Sequence, residues 1–259
     1  MKHMRSAILF SSFLLFGSGS FAQDGYRPDT STGNAPDTSR GQRMTFKWAP
    51  TGLLLGSLTL QGEYHFTKRS SLIANIGLPL QAKHSLSYVG QSADFRMKAT
   101  SFLAGYRRYF SRRRPMAGLY LEPYFKYVHH TSEGEGQAVL DGRATTVSFI
   151  NNYNAFGLGV QLGAQFRIGK RAVIDLFFLG PEINSASDRF SAREQNFNRP
   201  WTGDEGQKAK RDVLEFIDQF PFINNRVNVV VEEQSRTVRA SFRGALPGFR
   251  AGVSLGVAL

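Results

Sequence analysis

From Met44 to Leu259 the chain alternates apolar and polar residues with a period of two, the spacing of strands whose two faces meet different surroundings. Tyr153–Ile168 is the clearest stretch. Phe156, Leu158, Val160, Leu162, Ala164, Phe166 and Ile168 fall on one face; Gly157, Gly159, Gln161, Gly163, Gln165 and Arg167 fall on the other. Ser57–Phe66, Ala117–Val128 and Phe249–Leu259 repeat the pattern, and Met44–Leu53, Ser71–Leu80, Thr100–Phe110 and Arg171–Pro181 carry it more weakly. The pattern predicts an all-β chain of eight strands, each near the roughly 9–11 residues that a tilted strand needs to cross a bilayer. A soluble β-sandwich also alternates. Against it, the polar faces carry glycines and isolated charges in place of the Lys/Glu mixtures of solvated sheets, and Phe and Tyr gather near strand ends as in aromatic girdles.

The connections have a polarity. Thr67–Ser70, Ser111–Met116 and Gly169–Lys170 are short, whereas Gln81–Ala99, His129–Thr146 and Ile183–Pro247 are long. Such alternation is expected of periplasmic turns and extracellular loops in an eight-stranded antiparallel transmembrane β-barrel. The join after the first strand is the exception, a tight turn around Thr51–Gly56. Within Ile183–Pro247, Thr202-Gly203-Asp204-Glu205 fits a helix capping box. Ala209, Val213, Phe216, Ile217 and Phe220 then recur at helical spacing until Pro221. Arg226–Val231 and Thr237–Phe242 alternate around a polar turn and predict a hairpin, which leaves a count of ten strands open. The helix could lie on the barrel mouth as a lid, or Val213, Phe216, Ile217 and Phe220 could dock another envelope protein.

Composition fixes the address. The 259 residues include no cysteine, so disulfides and cysteine–metal sites are excluded. Lys2 and Arg5, the apolar Ala7–Phe16 and the small-x-small Ser20-Phe21-Ala22 read as a cleaved secretory signal over 1–22. Residues 23–42, rich in Asp, Thr, Ser, Pro and Gly, read as a flexible leader to the barrel at 43–259. The net charge of +12 would ordinarily suggest nucleic acid. Export argues otherwise, and so does placement: Ile183–Pro247 holds ten basic against nine acidic residues, while the three short turns hold Lys68, Arg69, Arg112, Arg113, Arg114, Lys170 and Arg171 without an acid. At the inner face of the outer membrane those turns would meet lipid head groups.

The final strand, Arg250-x-Gly252-x-x-Leu255-x-Val257-x-Leu259, is similar to the β-signal read by the outer-membrane barrel-insertion machinery, with Leu259 where an aromatic is usual. FKWAPTGLLLGSLTLQGEYHFTKRSSL at Phe46–Leu72 and the ending GALPGFRAGVSLGVAL resemble small outer-membrane barrels of Bacteroidota of the unknown-function type. The resemblance implies fold and location and brings no catalytic residues.

An eight-stranded barrel has an interior just wide enough for side chains to fill. The inward set comprises Lys47, Gln61, Glu63, Asn75, Arg107, Glu122, Tyr124, Lys126, Gln161, Gln165, Arg167, Asp175 and Arg250, with Glu63, Arg107, Glu122, Lys126, Arg167, Asp175 and Arg250 expected to form a plugging ionic network. A narrow ion or proton path is the alternative. For catalysis, His130-x-Ser132 with Glu133 offers a base, a hydroxyl and a carboxylate. That set bears a faint similarity to lipid A deacylase barrels, although the asparagine that follows the serine there is absent and the pair is not on the final strand. No metal-ligand spacing, phosphate loop or cofactor motif is present. Three readings follow: a plugged barrel with a structural or partner-binding role in the envelope, a lipid A-modifying enzyme using His130 and Ser132, and a narrow channel.

Overall fold

The computed structural model describes residues 43–88, 91–111, 116–140, 143–218, 223 and 226–259. The signal and leader expected over 1–42 lie outside the described residues, as do Arg112–Arg114, Phe220 and the side chain of Phe216. The strands are β1 (Met44–Ala49), β2 (Ser57–His65), β3 (Ser70–Pro79), β4 (Ala82–Tyr88), β5 (Gln91–Tyr109), β6 (Gly118–Leu140), β7 (Arg143–Ile168), β8 (Ala172–Glu194), β9 (Val227–Glu232) and β10 (Thr237–Ala258), with helix α1 (Gly203–Ile217) between β8 and β9. All pairings are antiparallel. Eight strands run β1-β2-β3-β5-β6-β7-β8-β10, and β10 returns to β1 through Thr45↔Ala258 and Trp48↔Leu255, so the order forms a ring. The other two strands of the ten-stranded sheet stand beside the ring: β4 pairs with β5, and β9 with β10.

The long loops expected from the sequence are mostly strand. Gln81–Ala99 holds β4 and half of β5, His129–Thr146 holds the far ends of β6 and β7, and Ile183–Pro247 holds the far ends of β8 and β10 as well as α1 and β9. The reason is physical. Beyond the apolar stretch of each strand the outward face is polar as well, so the contrast between faces fades although the hydrogen-bond ladder continues. Thr237–Phe242 is accordingly the start of β10, and the expected hairpin is the β9–β10 pair. The β1–β2 connection stays short, a 3₁₀ turn over Pro50–Leu55 closed by Gly56 at φ 68°. At the end away from the termini the wall therefore consists of β4-β5-β6-β7-β8-β10-β9.

Faces are assigned as the alternation predicts. Leu158 is 62% exposed, Phe156 55% and Phe249 54%, all outward, while Gln161, Gln165 and Asp175 are almost fully buried inside. Large inward side chains need room, and glycines on the adjoining strand supply it. Tyr120 pairs with Gly163, Tyr124 with Gly159 and Lys126 with Gly157, and a Cβ at any of these glycines would overlap the neighbouring side chain. The smooth face of β7 that reads as Gly-x-Gly in the sequence is thus a bed for the inward rings of β6.

Thr202 and Glu205 form the expected capping box on α1: the Thr202 amide donates to Glu205 Oε2 at 2.8 Å and the Glu205 amide to Thr202 Oγ1 at 3.4 Å. The helix packs along β9, and Ile217 is buried with Ala155, Ala186, Val229, Val238, Phe242 and Leu246, with Val213 against the same cluster. These partners lie on the inward face of the wall. The apolar helix face expected to meet a partner at Val213 and Ile217 is therefore taken up by the chain's own strands, as in a lid.

Replacing Gly163 by valine should lower the urea midpoint of the refolded protein by the equivalent of about 1–3 kcal/mol, because the Tyr120 ring has no room to move. Gly62→Ala, where nothing stands within 4 Å of the added carbon, should leave the midpoint unchanged.

Candidate functional site in the lumen

The end of the ring near the termini is stopped from inside. Met116, in the link between β5 and β6, is fully buried with Val173 and Ala258. Its amide donates to His65 Nε2 at 2.6 Å, its carbonyl accepts from Gln165 Nε2 at 3.0 Å, and its sulfur takes the Thr45 hydroxyl at 2.9 Å. His65 places its other ring nitrogen 3.0 Å from the Ser70 carbonyl, so Nδ1 carries the proton and Nε2 accepts. By its pattern Ser111–Met116 reads as a short turn; a methionine followed by two small residues gives no signal that it folds inward.

Above the stopper lies an ionic plug of two cations and three carboxylates. Lys47 Nζ reaches Glu63 Oε2 at 2.8 Å and Asp175 Oδ2 at 2.7 Å. Arg107 reaches Glu122 at 2.7 Å, Asp175 at 2.9 Å and Glu63 at 3.3 Å. Gln165 Oε1 accepts from both cations, at 2.6 and 2.8 Å. Tyr109 and Ser71 each donate to Glu63 Oε1 at 2.6 Å, Tyr120 donates to Asp175 Oδ1 at 2.7 Å, and the Arg107 guanidinium lies 3.7 Å from the Tyr120 ring centroid. Seven strands contribute, and every charged member is buried. Unpaired, such charges would each cost several kcal/mol; charge-assisted hydrogen bonds, donated to the carboxylates by tyrosine and serine and accepted from the cations by Gln165, offset much of that cost.

Lys126 belongs to the next tier, where it pairs with Glu182, which also accepts from Tyr124 at 2.8 Å and from Asn184 at 3.1 Å. Glu182 lies just past the strand expected to end at Pro181, outside the inward set read from the sequence, whereas β8 continues through it to Glu194. Arg250 donates to Gln161 at 2.5 Å and packs 4.5 Å from the centroid of Phe177. Arg167 does not join the plug. It donates to the Lys170 carbonyl at 2.9 Å, at the β7–β8 turn. Of the seven residues expected in one network, Glu63, Arg107, Glu122 and Asp175 are brought together with Lys47, and the other three are held elsewhere.

Beyond the apolar belt, His130, Tyr153 and Asp188 are register neighbours on the inward faces of β6, β7 and β8, with Ser132 and Asn151 in the next row. His130 and Ser132 are thus on a strand, not in a solvated loop. Glu133, the next residue along, falls on the opposite face and is exposed, so the expected acid does not join the pair. Among the described residues, His130 Nε2, Ser132 Oγ, Asn151 Oδ1 and Asp188 Oδ1 are buried with no hydrogen-bond partner, which makes these two rows a small polar chamber. Burial holds His130 down to about 4, with His129 adding to the effect. Burial also pushes Asp188 up to about 6 against the opposing hydrogen bonds from Asn151 and the Arg189 amide. Among the described residues no group of three or more His, Asp or Glu side chains could hold a metal ion.

No family model and no curated protein matches the chain. Among solved structures it is similar to the crystal structure of Acinetobacter baumannii CarO2, at 11% identity and a TM-score of 0.46, over 84% of this chain and 98% of that one.

Arg107→Met should destabilise the folded protein by about 3–5 kcal/mol, since three buried carboxylates are left with one cation. Adding Glu122→Gln should recover part of the loss in a urea titration. The polar chamber makes a separate, signed prediction. Asp188 keeps its proton to about pH 6 when folded and releases it near 3.8 when unfolded, so its contribution is full below pH 4 and lost as pH rises through 6. His130 has the opposite slope: it takes a proton near 6.5 unfolded but only at about 4 folded, so stability is lost as pH falls toward 4. The two nearly cancel in the wild type. Asp188→Asn should unmask a rise in stability between pH 4 and 6.5 of about 2–3 kcal/mol, and His130→Gln a fall of similar size.

Proposed function

We propose that the protein is an outer-membrane β-barrel with a lumen sealed by its own side chains, and that it has a structural or partner-binding role in the cell envelope. One observation carries this reading: the chain is inverted relative to a water-soluble fold. Its charged residues Lys47, Glu63, Arg107, Glu122 and Asp175 are buried inside the ring, while Phe46, Leu60, Leu72, Ile76, Phe102, Leu119, Phe156, Leu158, Phe166, Phe249 and Leu255 are exposed outside it. An apolar exterior of that extent matches lipid, not water. In this reading the termini and the short basic turns face the periplasm, and the extended wall with α1 and β9 faces outward. Export through the residue 1–22 signal and the Arg250–Leu259 ending support the same destination through the barrel-insertion machinery.

The plug and the Met116 stopper favour a closed barrel over a channel, because they fill successive levels of the lumen. The opposite facing of Glu133 gives the lipid A-modifying reading no support. Partner binding, on this view, falls to the outer surface of the extended wall, since α1 is engaged inward.

Reconstituted in planar bilayers, the protein should give no steady large conductance; sustained open channels refute the sealed lumen. With no native cysteine to interfere, Ser235→Cys at the β9–β10 turn should react with an impermeant maleimide on intact cells. Lys170→Cys should react only after the outer membrane is permeabilised. The reverse result inverts the orientation.

A further inference from the structure

We propose that the outward face of β8, β9 and β10 just beyond the apolar belt is a docking site for the phosphorylated headgroup of an outer-leaflet glycolipid. This rests on the membrane reading above. On β8 the outward positions pass from Ile183, 52% exposed, through Ser185 and Ser187 to Arg189; on β10 they pass from Phe249 through Pro247 and Ala245 to Arg243 and Ser241. On β7 the same ascent runs from Phe156 to Asn154 and Asn152. The three strands therefore change from apolar to polar as they leave the belt, where lipid headgroups begin.

Register brings the polar residues together. Asn152, Arg189, Ser241 and Asn228 form one cross-strand row, and Asn154, Ser187 and Arg243 form the row nearer the belt. Arg226, immediately before β9, lies beside Arg243. A cavity of about 350 Å³ opens here, lined by Arg189, Arg226 and Arg243 with Ser187, Ser241 and Asn228. Asp188 and Phe242 also border it but are residues of the inward face, where Asp188 bonds Asn151 and Phe242 sits in the core. All three arginines are exposed, and none has an acidic partner among the described residues, whereas Arg236 and Arg239 nearby are paired with Glu194 and Glu232.

Three arginines border one basin against a single acid, Asp188, and that excess of guanidinium suits an oxyanion with several oxygens, for which arginine is the geometrically matched donor. The flanking serines and asparagines offer the mixed donors and acceptors that sugar hydroxyls require. Below the basin Ile183 and Pro247 begin the apolar face, and beside it on β6 and β7 the rings of Tyr127 and Phe156, 4.8 Å apart, continue the apolar edge on which acyl chains would lie. Height, charge and hydroxyl chemistry together select a phosphorylated glycolipid over a soluble anion.

The test uses the purified full-length barrel in neutral detergent micelles, with bisphosphorylated lipid A as the probe, read by native mass spectrometry. The wild type should retain a one-to-one adduct, and dephosphorylated lipid A should bind far more weakly. Arg189→Gln/Arg226→Gln/Arg243→Gln should reduce the adduct by roughly a hundredfold, at about 1 kcal/mol per arginine. The same variant should keep the wild-type heat-modifiable gel shift, and Lys68→Gln/Lys170→Gln should bind lipid A as the wild type does. Equal binding of dephosphorylated lipid A, or undiminished binding by the triple variant, overturns the proposal. Competition by millimolar inorganic phosphate as effective as that by lipid A itself overturns the glycolipid assignment in favour of a free anion. None of these arms depends on which end of the barrel faces out, so failure of the labelling experiment and failure of the docking site are separable.

Discussion

A ring of eight strands encloses a space that is too narrow for bulk water and too wide to leave empty. Everything else in this structure answers that constraint. Arg107 is the centre of the answer: it bridges Glu122, Asp175 and Glu63 and covers the Tyr120 face. Because its partners sit on β2, β6 and β8 while Arg107 sits on β5, one guanidinium ties distant strands across the lumen. The ladder hydrogen bonds join neighbours only. The plug supplies the cross-bracing that a closed sheet lacks, and its energetic weight lies in pairing already buried charges more than in attraction as such.

The inside of the ring is layered. Nearest the termini a methionine blocks the lumen, then the ionic plug, then the Lys126–Glu182 tier, then the chamber of His130, Ser132, Asn151 and Asp188 beneath the lid of α1 and β9. Polarity thus changes along the axis from a plug of mutually paired charges to a chamber in which four polar side chains each leave an atom without a hydrogen bond among the described residues. The outside changes in step, from apolar belt to arginine-bearing wall. A residue's height along a strand and its face together decide its surroundings, and two numbers per residue describe most of the molecule.

Much of this was legible from alternation, because a strand between an apolar exterior and a polar packed lumen separates apolar from polar at every second position. The inward set around Gln61, Glu63, Arg107, Glu122, Gln165 and Asp175 falls out of that rule directly, and these residues are buried. The capping box at Thr202 and Glu205 was equally local and equally readable. What the pattern could not carry was the continuation of β6, β7, β8 and β10 past the belt, where both faces turn polar and alternation loses contrast. That loss hid Asp188 and made His130 and Ser132 look like loop residues beside Glu133. The inward fold of Met116 was hidden for a different reason: it depends on His65, fifty-one positions away, and no local signal encodes so distant a partner.

The Met116 stopper bears on how the ring closes. Its contacts come from Thr45 on β1 and Ala258 on β10, the two strands that meet at the closing seam, as well as from His65 and Gln165. A seam joined two residues out of register would keep every face correct and still present the wrong side chains to that methionine. The stopper therefore distinguishes registers that the alternation alone treats as equivalent, and it does so from inside the lumen, at the joint where the first and last strands of the ring meet.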